Sequence, residues 1–327
     1  MMSKLRLPSA VADPSMTTPP RRDGSMRLTS HVDIETDRGG GLLLSGAARE
    51  LRTSGASARV IGTAQVEARV GSDRTLRKLE VFPDNQGTES LVGRAVGSGF
   101  RVAVDAAFSD EPGPPGPLHL LLDDLPVAVL ISGYAALYSG KMQIEREHLD
   151  AGLLKADICS GWRSDATMLV TLRREGHLPV SLGPPAGALD ASDDELAWHE
   201  ISGLTPGSMR RRRLIDVVAG DPIEVFAMFR DTHLDPDGVE AVLHEYSLTA
   251  VLDRAGTAID QCVARPRVLP WPECPLAADS ARRLNGVPLE GVKAVVAREL
   301  RGTSTCTHLN DLLRSLARVA SLLPHLG

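Results

Sequence analysis

Apolar and polar positions follow two different rhythms along this chain. From Asp33 to Phe108 the apolar residues come in short runs and alternations, the period of strands. Gly41–Leu51 and Ala58–Val70 are bounded by Gly and Ser, Ser72-Asp73 signals a turn, and Leu76–Phe82 alternates apolar with charged residues. Leu91–Phe108, which contains Gly97 and Gly99, reads equally as helix or strand. Glu111–Pro117 (EPGPPGP) is a break. Leu125–Tyr138 is the longest apolar run and falls short of the ~20 residues a bilayer needs.

Alternation returns at Arg210. Leu214–Val218 and Ile223–Arg230 read as hairpin arms turned at Gly220-Asp221-Pro222. Asp235-Pro236-Asp237-Gly238 is a second turn, and Ala241–Asp253 and Thr257–Val268 are two more strands. After Pro270–Pro275 the period changes to that of helices. Three are predicted: Cys274–Leu284, Leu289–Leu300 and Thr307–Leu323.

The order of these signals repeats. Asp33-Ile34 stands to Arg49-Glu50 as Asp216-Val217 stands to Arg230-Asp231, and the strand pair ending at Pro83 matches the pair ending at Pro266. Gly99-Phe100-Arg101 echoes Gly291-Val292-Lys293, and Leu118-His119-Leu120 echoes Thr307-His308-Leu309. This common order predicts an internal duplication, with Gly62 at the place of His244 and His119 at that of His308. The expected fold is α+β: two related antiparallel-sheet units with helices packed on them. Residues 1–25 form a disordered leader, 26–140 the first unit, 141–208 an irregular connector and 209–327 the second unit.

Composition narrows the function classes. Hydrophobic residues make up 43% of the 327 and charged residues 24%, so the chain is not disordered throughout. The 42 acidic residues outnumber the 36 basic ones, which argues against a chain-wide nucleic-acid footprint. The run Arg210–Arg213 reads as a phosphate patch or as a solvated strand entry, and the acidic balance favours the latter. No apolar h-region follows Met1, so no secretory signal is expected, and neither is a membrane partner. Four cysteines are too few for a disulfide framework and point to a cytoplasmic protein with reduced thiols.

Candidate chemistry concentrates at the C-terminal end. Three of the four cysteines follow residue 230. His244 lies near a strand start, Cys274 follows the last strand, and Cys306 with His308 opens the last helix. Such a unit gathers these positions at one end of its sheet. Cys and His are ligands for Zn²⁺ or an iron–sulfur centre, and a helix N-terminus lowers a thiol pKa. The competing reading makes both cysteines small buried hydrophobes and His308 a cap residue. The metal set expected is His244, Cys274, Cys306 and His308. Asp311, one turn past His308, is either a proton carrier beside it or a surface first-turn acid. Arg230-Asp231 reads as an ion pair or as a carboxylate orienting a ligand histidine.

Two resemblances bear on this. Arg212-Arg213 with Asp216, Phe229-Arg230-Asp231, Leu243-His244-Glu245, Glu273-Cys274-Pro275 and Cys306-Thr307-His308-Leu309 closely resemble a bacterial family known as domain of unknown function 2889. Leu118–Asp124 with Ile131–Tyr134 extends that likeness into the first half. That family implies no activity. More remotely, Ala241–Leu323 resembles the IscU/NifU-type iron–sulfur scaffold fold, whose ligands occupy the places of His244, Glu273-Cys274 and Cys306/His308. The scaffold's first ligand is a cysteine where this chain has His244, and its His-Cys pair is replaced by Cys-Thr-His. The resemblance implies a zinc- or iron-binding protein, either an enzyme acting on a small-molecule substrate or a non-catalytic iron–sulfur or metal carrier. A metal-free binding protein with buried cysteines is the third class. On this reading Cys306→Ala loses metal more readily than His308→Ala. The sequence names no protein partner.

Overall fold

The computed structural model describes residues 5–110, 116–189 and 193–326. The expected break at Glu111–Pro117 lies partly outside them. Two short strands, β1 (Arg6–Pro8) and β2 (Val11–Ala12), precede four long ones: β3 (Ser25–Thr36), β4 (Leu42–Ser54), β5 (Ser57–Val70) and β6 (Leu76–Phe82). Helix α1 (Phe100–Ala107) resolves the ambiguous Leu91–Phe108 segment, and α2 (Pro117–Ile131) runs on into α3 (Gly133–Ser139). Next come α4 (Arg146–Asp150), α5 (Thr167–Glu175) and β7 (Val180–Leu182). The second set of strands is β8 (Met209–Val218), β9 (Glu224–Leu234), β10 (Glu240–Leu252) and β11 (Ala258–Leu269). Tight 3₁₀ turns over Cys274–Leu284, a short β12 (Val287–Pro288), α6 (Val292–Glu299), α7 (Thr307–Ser315) and α8 (Val319–Leu322) complete the chain.

Among the described residues the long strands form one continuous sheet, not two separate units. Its order is β12-β11-β10-β9-β8-β3-β4-β5-β6, with β2 added to β11. The two strand sets join edge to edge through antiparallel β3 and β8, from Ser25 opposite Val218 to Ile34 opposite Met209. Fusion removes two sheet edges whose unpaired backbone would otherwise face water. Two ion pairs flank this seam: Arg27 Nε meets Asp216 at 2.7 Å, and Arg210 Nε meets Asp33 at 2.6 Å. Each uses a second guanidinium nitrogen, at 2.7 Å in both cases.

Alternation decides where the four arginines go. Arg211 and Arg213 point to the helix-covered face with Ile215, while Arg210 and Arg212 point to the other face with Leu214. The expected solvated strand entry is therefore buried: Arg211 and Arg213 are each 1% exposed. Helices α1 and α2 cover β3–β5, and α5–α8 with the 3₁₀ turns cover β8–β11. The opposite face of the central strands carries a smaller core of Leu189, Ala197, Trp198, Leu214 and Met228.

Where the sequence reading expects a disordered leader, residues 5–25 pack against this body. β1 pairs in parallel with β7, and β2 antiparallel with the end of β11. The buried Arg230 explains part of this, because its guanidinium takes the carbonyls of Ser15 and Gly187. The 141–208 segment is likewise more regular than a plain connector. One helical stretch, Pro117–Ser139, is long and apolar enough to cross a membrane by length and composition, but 56% of its most apolar window is buried. Its Asp123 and Asp124 face arginines, and the arrangement is compatible with a soluble protein.

Candidate metal centre

The site begins at an irregularity. The pairing of β9 with β10 shifts register between Val242 and His244, so His244 lies opposite Asp231. Phe229 and Asp231 alternate onto the helix face of β9, and the first turn of α7 places His308 above them. The His244 and His308 rings stack with centroids 3.8 Å apart and planes 17° apart, and Phe229 lies 6.4 Å from His308. One ligand atom from each of Asp231, His244 and His308 falls within 4.8 Å of the other two.

Asp231 is fully buried, and its two oxygens differ. Oδ1 accepts from Arg211 Nη1 at 2.6 Å. Oδ2 has no hydrogen-bond partner, nor has the buried Nδ1 of His244 that lies 3.6 Å from it. Burial pushes the Asp231 carboxyl up to about 6 against the pull of Arg211. Burial lowers both imidazoles, His308 to about 4 and His244 well below its ordinary value, with Arg211 adding repulsion in both. Both rings are thus neutral near pH 7, the form that donates to a metal.

Arg211 stands behind the carboxylate. It stacks on Phe229 at 4.3 Å and reaches Asp311 Oδ2 through Nη2 at 2.5 Å. The same Asp311 oxygen accepts from Arg213 Nη2 at 2.5 Å, and its Oδ1 accepts from Arg101. Arg213 also holds Asp124 Oδ1 at 2.7 Å and Ser315 at 2.9 Å. Burial raises the Asp311 carboxyl, but three guanidinium groups outweigh it and hold it well below the usual carboxylate range. A carboxyl so held does not exchange protons near neutrality. Asp311 is therefore a buried anchor for three arginines and not the surface first-turn acid that its place in the helix suggests.

Of the four expected ligands, the structure brings two together. Among the described residues, Cys274 and Cys306 do not join the histidine group, whose third member is Asp231. The thiols gather instead around Tyr246, whose hydroxyl donates to the Cys274 carbonyl at 3.3 Å and lies beside Cys306. Cys159 is a neighbour of both. All four cysteines are free and buried. Burial raises the Cys306 thiol to about 11 and raises Cys274 as well, so neither forms a ready thiolate. The helix-start effect expected for Cys306 is real in direction, since backbone N–H groups of His308 and Leu309 pull its pKa down, but desolvation is larger.

Asp231, expected as an ion-pair partner of Arg230 or as an orienting carboxylate, pairs instead with Arg211 while Arg230 takes Glu245, and the hairpin carries a signal for its place. The turn at Asp235–Gly238 sets the β9–β10 register. Counting back from it brings 231 opposite 243 or 244.

No curated protein and no solved structure matches the chain. Residues 209–322, which carry the whole Asp231–His244–His308 group, match the profile of a protein family of unknown function, DUF2889.

Proposed function

We propose that this protein binds one zinc or iron ion through Asp231, His244 and His308. The carrying observation is a pair of buried polar atoms without hydrogen-bond partners, Asp231 Oδ2 and His244 Nδ1, facing each other at 3.6 Å. Buried polar atoms left without partners are rare, and a cation between these two and His308 satisfies them together. Two neutral imidazoles and one carboxylate suit Zn²⁺ or Fe²⁺ and leave coordination positions open. An open position supplies Lewis-acid or water-activating chemistry on a small organic substrate. The separate, protonated thiols favour a mononuclear ion over an iron–sulfur cluster, and so an enzyme over a cluster carrier.

Antiparallel strands followed by helices, with donors at a strand and a helix start, are what an IscU/NifU-like reading calls for, and on that reading Asp231 stands in place of the cysteines. Duplication has support in the registers. Glu50 lies opposite Gly62 as Asp231 lies opposite His244, and each pairing has an irregularity at that step. The two ion pairs across the β3–β8 seam are mirror partners in the same sense. Four free cysteines favour a reducing, cytoplasmic setting.

The test is metal content after chelation and reloading with Zn²⁺, Fe²⁺ or Co²⁺. One ion per chain is expected, with Co²⁺ showing no thiolate charge-transfer band. His244→Ala and His308→Ala lose the ion, while Cys306→Ala keeps it. Absence of stoichiometric binding, or its loss from Cys306→Ala with retention by His308→Ala, overturns the proposal.

A further inference from the structure

A groove of about 880 Å³ runs between the helices of the two halves, lined by α1 and α2 on one side and α6 and α7 on the other. The metal ligands do not line it. The α7 residues Thr307, Asn310, Asp311 and Arg314 face it at helical spacing, while His308 faces the sheet. Its volume is that of a small-molecule site.

The walls are of two kinds. Val102 and Leu130 are 72% and 49% exposed and meet in this groove, together with Val127 and Ala297. Side chains of this size at such exposure, gathered in one concavity, form an apolar surface without a cover. Basic groups line the rest: Arg74, Arg101, Lys293, Arg301 and Arg314, against Asp105 and Asp311. Asp311 is already shared by Arg101, Arg211 and Arg213, and Asp105 by Lys293 and His119. Arg314 meets Asp123 at 3.2–3.4 Å and Asp105 at 3.5 Å. Arg301 spends its Nε on the Ala297 carbonyl at 2.5 Å. The lining therefore carries more positive than negative charge beside an apolar wall.

We propose that this groove binds a small organic anion, a carboxylate borne on a hydrocarbon or aromatic body. The body covers Val102, Val127 and Leu130, and the carboxylate meets the guanidinium groups, for which a planar two-oxygen anion is the complementary shape. The groove does not use the metal ligands, so the proposal stands apart from the metal reading.

Isothermal titration of the chelator-treated full chain with octanoate tests it, with octylammonium as the charge-reversed control. Saturable 1:1 binding of octanoate and none of octylammonium are expected. Leu130→Glu and Arg301→Glu are exposed substitutions that leave the fold intact by circular dichroism, and each weakens octanoate by about tenfold or more, the effect of one lost contact of ~1.4 kcal/mol. No saturable octanoate binding, equal binding of octylammonium, or unchanged affinity in both variants overturns the proposal. So does binding seen only with anionic phosphatidylglycerol vesicles, which would make the groove a membrane contact. Because metal is absent throughout, failure of the metal reading leaves this outcome unaffected.

Discussion

Asp311→Asn is the sharpest probe of how this fold is held. The substitution keeps size and one acceptor oxygen but removes the charge that Arg101, Arg211 and Arg213 share. Arg211 and Arg213 are 1% exposed, so water cannot replace it. In the wild type these three cations face Asp124, Asp231 and Asp311, and the cluster is neutral. In the variant it carries one uncompensated positive charge. Breaking one side of a buried ion network costs ~3–5 kcal/mol, against a total stability of ~5–15 kcal/mol. With a urea m-value of ~3 kcal/mol/M, the unfolding midpoint falls by about 1–1.7 M. Equilibrium urea unfolding followed by circular dichroism reads this directly. The loss should be nearly the same at 0.1 and 1 M NaCl, because salt does not reach the cluster. A cost below ~1 kcal/mol, the range of exposed pairs, or a strong salt dependence would refute the buried-network argument.

Two further outcomes follow from the same geometry. A metal ion competes with protons at Asp231, held up at about 6, and at His308, held down at about 4; affinity for Zn²⁺ should be level above pH about 6, fall as pH drops through 6, and fall more steeply near 4, and a titration series giving one affinity from pH 7.5 to 5 would contradict this. Gly161→Ala puts a Cβ 2.6 Å from Cys274 Sγ, so it should cost ~1–3 kcal/mol by overpacking, and adding Cys274→Ala should restore part of that loss; a double variant no more stable than the single would show the cost lies elsewhere.

Much of the fold was legible because its signals are local. The β8–β9 hairpin, the turn at Asp235–Gly238 and the strands up to Leu269 follow from alternation and turn chemistry. The third predicted helix exists but is divided into α7, a 3₁₀ turn and α8. What was not legible is non-local. Nothing in β3 or β8 alone says that they pair, since that depends on two edges far apart in the chain finding each other. Likewise, a run of four arginines reads as surface unless one knows that acids from four other elements, β3, β9, α2 and α7, wait for it. At the candidate site, residue type and topology were enough to bring His244 and His308 into view, and the structure sets them side by side. Cys274 and Cys306 lie apart from that group among the described residues, a separation that residue type alone does not signal, because a cysteine serves equally as a ligand or as a small buried hydrophobe.

The network also ties the candidate site to both halves of the chain. Arg213 of β8 and Asp311, Arg314 and Arg318 near the C-terminus all lie in the second half, yet each has a partner in the first. Arg213 is held by Asp124 of α2, Arg314 by Asp123 and Asp105, Arg318 by Glu50 of β4 at 2.9 Å, and Asp311 by Arg101 of α1. These contacts fix α7 over the sheet and so set His308 on His244. A fragment spanning 205–327 contains every residue of the proposed metal group but loses Asp105, Asp123, Asp124, Glu50 and Arg101. It also exposes β8 as an unpaired edge with buried arginines along it. Such a fragment should aggregate or remain unfolded, and should not bind metal at the affinity of the full chain. Size-exclusion chromatography, circular dichroism and a Zn²⁺ titration on the fragment decide this. A soluble, cooperatively folding fragment with full-chain affinity would mean that the first half does not position the site, and that the ion pairs across the halves are incidental to it.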